Sequence, residues 1–126
     1  MNLPDRTLFT PFILGPITIR NRTIRAAAFE GMCPGNLPSE DLFNYHRDVA
    51  AGGIGMTTVA YAAVEQSGLS FPHQLLLNRA AVPGLRRITD AIHNEGAACS
   101  IQIGHCGDMS KRSFAGRLPI APSYGI

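Results

Sequence analysis

Gln102 is the side chain best placed for polar recognition, because it closes an uncharged run, Ala97 to Ile103, and a primary amide there offers a donor and an acceptor together. Two further segments could meet a flat ligand beside it. Ala26-Ala27-Ala28 lets the backbone approach a planar ring closely, with Phe29 following, and Tyr61 ends a second apolar run. Each also fits a plainer role: Gln102 can satisfy loop backbone, the three alanines can pack under a helix, and Tyr61 can be core. His105 reads as structural. His46 and His93 fall in helical patterns, His73 in a loop, and no pair has metal-ligand spacing with a partner carboxylate, so no metal is expected. Cys33, Cys99 and Cys106 fit no disulfide framework, zinc motif or iron–sulfur spacing. They read as reduced thiols of a cytosolic protein.

Composition narrows the classes. The chain has 126 residues, 45% hydrophobic and 16% charged, which is globular and not disordered. That length makes residues 1–126 a single domain at most, and an unfinished one if the fold is an eight-stranded α/β barrel of roughly 250 residues. Ten arginines and one lysine against nine acids give a net charge of +2, scattered without a basic block, so nucleic-acid binding has no support. No stretch approaches eighteen apolar residues, and Met1-Asn2-Leu3-Pro4-Asp5 lacks a basic region followed by an apolar one, so no export is expected. A soluble, cytoplasmic protein without membrane contact is expected.

These residues must be positioned by a small set of elements. Leu8 to Leu14, Gly15-Pro16 and Ile17 to Arg20 spell a hairpin, and Thr23 to Phe29 a first strand. Glu30 to Pro38 is a loop. Ser39 caps a helix whose first turn carries Glu40 and Asp41 and whose stripe is Leu42, Phe43, Tyr45, His46, Val49 and Ala50, ended by Gly52-Gly53. Ile54 to Tyr61 is a second strand, fully buried by its composition, and Ala62 to Ala80 a long loop. A second helix starts at Val82-Pro83, continues through Leu85, Ile88, Ala91 and Ile92, and stops at Gly96. Ala97 to Ile103 is the third strand. Gly104 to Ile126 shows no periodicity. The order βαβαβ with short returns predicts a parallel sheet, with active groups at the C-terminal strand ends. Pattern alone leaves a barrel portion and a small open sheet both possible. A nucleotide-binding flavodoxin-type sheet lacks support, since no GxGxxG follows a strand.

A resemblance bears on that choice. Leu8-Phe9-Thr10-Pro11, Gly15, Asn21-Arg22, Gly52-Gly53-Ile54-Gly55-Met56, Gln102-Ile103-Gly104-His105-Cys106-Gly107 and Ile120-Ala121-Pro122-Ser123 together resemble the old yellow enzyme family of NAD(P)H:flavin oxidoreductases. The motifs stand in the family's order from Leu8 to Ser123. The resemblance implies the N-terminal part, βαβαβ with a leading hairpin, of a TIM (β/α)8 barrel. It implies FMN, with Ala26, Ala27, Ala28, Phe29, Tyr61 and Gln102 as cofactor-binding residues and Gln102 on the pyrimidine edge. The family's usual Ala-Pro-Met at the end of strand one is here Ala26-Ala27-Ala28, and Phe29-Glu30-Gly31-Met32 resembles a branch with an aromatic before Glu-Gly-Met. Tyr61 stands where the family has Ala or Gly.

The implied activity of the whole enzyme is hydride transfer from NAD(P)H through FMN to an activated alkene, a small-molecule substrate. The family's substrate-anchoring pair, proton-donating Tyr and phosphate cradle come from later strands, so no catalytic residue is expected in this chain. It would need the remainder of the barrel or a complementary chain, or else serve as a non-catalytic half-barrel scaffold. Its exposed sheet edges predict self-association when alone.

Overall fold

The computed structural model describes residues 7–123. A short hairpin, β1 (Phe12–Leu14) against β2 (Ile17–Ile19), forms around Gly15 at φ 55°, a left-handed position that the Gly15-Pro16 turn supplies without a Cβ penalty. The next strand, β3 (Ile24–Arg25), is much shorter than the expected Thr23 to Phe29. Beyond Arg25 the ladder stops, because the Arg25 guanidinium itself takes up the carbonyls of Thr58 at 2.6 Å, Ala28 at 3.3 Å and Ala26 at 3.4 Å.

Helix α1 (Glu40–Ala51) begins where the Ser39 hydroxyl accepts from the Leu42 N–H at 3.1 Å, with Glu40 and Asp41 at the positive end of the dipole. Every fourth residue of its inner face, Leu42, His46 and Ala50, is buried. Gly53, at φ 98°, turns the chain out of the helix. Strand β4 (Met56–Ala63) begins two residues later than Ile54 and runs through Tyr61 to Ala63. Gly55 lies before it because a Cβ there would fall 2.4 Å from the Asn21 carbonyl oxygen. The Asn21 amide fixes that approach, donating to Gly53 O at 2.7 Å while its oxygen accepts from Thr23. Two of the sequence motifs thus meet at one contact.

The long loop holds an element the sequence pattern missed. Strand β5 (Leu75–Leu76) pairs in parallel with Ala62 and Ala63 at the C-terminal end of β4. Two adjacent leucines carry no alternation to signal a strand, and the loop is shaped by the Gln74 side chain, which accepts from Ser70 N–H at 3.0 Å. Helix α2 (Val82–Asn94) carries Pro83 in its first turn, buries Ile88 and Ile92, and leaves through Gly96 at φ 80°. Strand β6 (Ala98–Gly104) follows, and the tail contains a single turn of helix, α3 (Arg112–Ala115).

The sheet is parallel, with β4 central, β3 on one side and β6 on the other. One core lies between this sheet and the two helices, built on Leu42, Ala50, Val59, Leu75, Ile88 and Ile92, each large aliphatic side chain contributing about 1.5–3 kcal/mol. Below it, Arg20 ties the N-terminal side together, donating to the carbonyls of Ala50 at 2.5 Å, Glu95 at 2.6 Å and Ile54 at 2.9 Å.

Candidate functional site

The C-terminal ends of β3, β4 and β6 lie side by side, and the sheet order brings together all the residues singled out from the sequence. Ala26, Ala27 and Ala28 are exposed, so the backbone of this stretch is open to a flat ligand. Gln102 and Tyr61 line one cavity of about 270 Å³ together with Ile103, Gly104, His105 and Cys106. Phe29 does not point away from this group. Its ring stacks obliquely on Tyr61 with centroids 5.5 Å apart, and on Phe71 at 5.0 Å. Phe71 belongs to the long loop, where sequence periodicity gave it no role.

The Tyr61 hydroxyl is 3.2 Å from Ser70 Oγ, which donates to the Cys106 sulfur at 3.0 Å. Burial pushes the Tyr61 phenol above its ordinary value, so it keeps its proton through neutral pH. His105 is fully engaged. Its Nδ1 accepts from Gly107 N–H at 3.0 Å, which leaves Nε2 as the donor to Ser67 Oγ at 2.9 Å, and Ser67 in turn donates to Glu65. Gly68 makes room for this ring, since a Cβ there would lie 2.8 Å from His105 Cδ2. His105 therefore ties the loop at Ser67 to the end of β6.

Sequence reading missed a second layer behind these residues. Glu30, in the loop after β3, has a side chain only 4% exposed and holds Arg25 at 3.0 Å and His46 at 3.1 Å on the same oxygen. Its carboxylate also accepts the Ala60 N–H at 3.0 Å. A carboxylate can only accept, so His46 Nε2 donates to it and Nδ1 faces Thr57 Oγ1 at 2.9 Å. A part of the signal was present, since Glu30 directly follows the expected strand Thr23 to Phe29 and His46 is the polar member of the buried helix face Leu42, His46 and Ala50.

Cys33 and Cys99 are not part of the cavity. Burial raises both thiols, Cys33 from 9.0 to about 12 with the Glu30 charge adding to the effect. Among the described residues no cluster of His, Cys, Asp and Glu could hold a metal, and no helix is long and apolar enough to cross a membrane.

Residues 7–123, the whole of the described chain, match the model of the NADH:flavin oxidoreductase / NADH oxidase family. The chain belongs to that family. Within the family it is 47% identical to 4,4'-dithiodibutanoate disulfide reductase of Rhodococcus erythropolis over 120 residues, covering 95% of this chain and 30% of the relative. It is 33% identical to the multifunctional alkene reductase/demethylase OYE of Caballeronia cordobensis, covering 92% of this chain and 18% of the relative. The old yellow enzyme homologue of Zymomonas mobilis superposes with a TM-score of 0.87 at 27% identity, over 94% of this chain and 34% of that structure. The chain thus spans about a third or less of these family members. Its fold is the N-terminal portion of their TIM barrel, with β3, β4 and β6 as successive parallel barrel strands and no closed barrel. The open choice between a barrel portion and a small open sheet is decided for the barrel. The family uses FMN and NAD(P)H.

Proposed function

We propose that this chain is the flavin-ring side of an FMN-dependent NAD(P)H oxidoreductase. In this reading residues 1–126 form one incomplete domain, the first three strands and two helices of the barrel. Ala26, Ala27 and Ala28 lay backbone against the ring, Phe29 and Tyr61 flank it, and the Gln102 amide pairs with its pyrimidine edge. The observation that carries the reading is the convergence of Gln102, Tyr61 and the exposed Ala26–Ala28 backbone at neighbouring strand ends of a family member. The donor set fits the group: a flat ring needs a close, small-residue surface, and its polar edge needs a donor and an acceptor together. Bound FMN would supply the redox chemistry, taking a hydride from NAD(P)H and delivering it to an activated alkene.

The chain's own residues bind, orient and shield. The substrate anchors and the proton donor would come from the remainder of the barrel or from a complementary chain. A cytoplasmic setting goes with the three free thiols. A second reading of the substrate has its own support, since the relative at 47% identity is a disulfide reductase. In that case the two electrons go to a sulfur–sulfur bond of a small organic disulfide, on the same flavin-binding surface.

The test is Gln102→Leu in the complete protein. Losing the hydrogen bond and leaving a cofactor group unpaired is expected to weaken FMN binding by about 1–3 kcal/mol, roughly 5- to 150-fold, and to shift the flavin potential. An unchanged dissociation constant and potential would return Gln102 to a loop-stabilising amide. Assays of the wild-type protein with cyclohexenone and with 4,4'-dithiodibutanoate separate the two substrate readings.

A further inference from the structure

Between Val59 and Ala62 the register of β4 against β6 shifts, and Ala60 and Tyr61 drop out of that pairing. Ala60 is buried, at 5% exposure, so its backbone groups need partners from elsewhere. Glu30 supplies both. Its main-chain N–H donates to Ala60 O at 3.3 Å, and its carboxylate accepts the Ala60 N–H at 3.0 Å. One residue thus bridges the end of β4 to the stretch that follows β3, partly through its side chain. The two segments it joins carry Ala26 to Phe29 on one side and Tyr61 on the other.

The carboxylate is in turn held from behind. Arg25 reaches it at 3.0 Å while donating to Tyr45 Oη at 3.0 Å, and His46 reaches it at 3.1 Å from the buried face of α1. A carboxylate held by Arg25 from β3 and by His46 from α1 has little freedom, and so the Ala60 N–H has a rigid acceptor. We infer that Glu30 is a positioning residue for the flavin-facing surface: it sets the spacing between the Ala26–Phe29 backbone and the Ala60–Tyr61 strand end without touching the ligand. The inference rests on the flavin reading proposed above, but its structural half does not.

The variants Glu30→Ala and Glu30→Gln in the complete protein test it. Glu30→Ala removes the acceptor and orphans the Ala60 N–H. Glu30→Gln keeps an oxygen for that N–H, and its NH2, in the place of the oxygen that Arg25 and His46 share, can face His46 once the imidazole changes tautomer, Nδ1 then donating to Thr57, while Arg25 gives up its ion pair and keeps Tyr45 Oη and the Thr58 carbonyl as acceptors. Amide hydrogen exchange of peptides covering residues 58–63 is the first readout, and FMN dissociation constant with the visible flavin spectrum the second. Expected are faster exchange and FMN binding weakened about tenfold or more in Glu30→Ala, the loss of one buried charge-assisted bond, and recovery to within about threefold of wild type in Glu30→Gln. Unaltered exchange over residues 58–63 in Glu30→Ala would overturn the inference. So would a Glu30→Gln protein as impaired as Glu30→Ala, since the negative charge and not the Ala60 acceptor would then matter. If Glu30→Ala does not fold, Glu30→Gln against wild type still decides it by the same two readouts. Wild-type protein that binds no FMN would sink the flavin reading alone, and the exchange data would still test the bridge.

Discussion

The two sides of the central strand are finished in opposite ways. On the β3 side the chain finishes the end of β4 itself: the Arg25 guanidinium, the Glu30 bridge and the parallel pairing of β5 take up the β4 backbone groups that a longer β3 would have used. On the β6 side Ile101, Gln102 and Ile103 are exposed, Ile103 by 57%, and no described strand lies beyond them. Backbone amides and carbonyls at a sheet edge demand partners wherever they are, and the comparison shows two answers. One is built from side chains within the first strand's own loop. The other is left to whatever completes the barrel.

The largest expected effect is on the open side. With β6 uncovered and its inner face apolar, the 126-residue chain alone should run as a species larger than a monomer, by light scattering coupled to size exclusion at micromolar concentration. It should also show no NAD(P)H-dependent reduction of maleimide above a flavin blank. A monodisperse monomer with cooperative unfolding would break the comparison, because the β6 side would then need nothing beyond the chain, as the end of β4 on the β3 side does not.

Single substitutions in the complete protein sharpen it. Ile92, fully buried between α2 and the sheet, should cost about 2–5 kcal/mol as Ile92→Ala, read from the denaturant midpoint. The same truncation at Ile103 sharpens it from the other side. It should cost as much only if further strands cover Ile103, and within about 0.5 kcal/mol if they do not. The smallest effect is at Cys33, beside Glu30 on the closed side. Its folded-state value, about 12, lies above the ordinary 9.0, so its contribution to stability is present below pH 9 and is lost as pH rises through 12. The unfolding midpoint of wild type should fall over that window more than that of Cys33→Ala. Below it, iodoacetamide at pH 8 should leave Cys33 unmodified until the protein is denatured, since little thiolate forms.

What was legible in the sequence follows the same division. The helices were readable because their signals are local: the Ser39 cap, the four-residue spacing of Leu42, His46 and Ala50, and the glycine exits all act within one or two turns. Gln102, Tyr61 and Ala26–Ala28 were readable as candidates because strand ends in a parallel sheet converge. The extent of β3 was not, because it is cut short by a long-range bond, from Arg25 to Thr58, that no window of neighbouring residues contains. β5 was hidden for a related reason, a two-residue strand held by Gln74 and by pairing to Ala62 and Ala63. Glu30 looked like loop. Its importance depends on Ala60 leaving its ladder thirty residues later in the chain, a tertiary fact.

Arg20 gives the molecule one more property. It is a single cation that reaches a carbonyl in the last turn of α1, the carbonyl just past α2 and the approach to β4, so neither helix can fray at its C-terminal end without breaking a bond that also secures the other. The two βα units are therefore expected to open together, as one cooperative folding unit with the hairpin that carries Arg20, and not as two independent repeats. Each bond runs to a neutral carbonyl instead of a carboxylate, so this coupling should be far less sensitive to added salt than an ion-pair network would be.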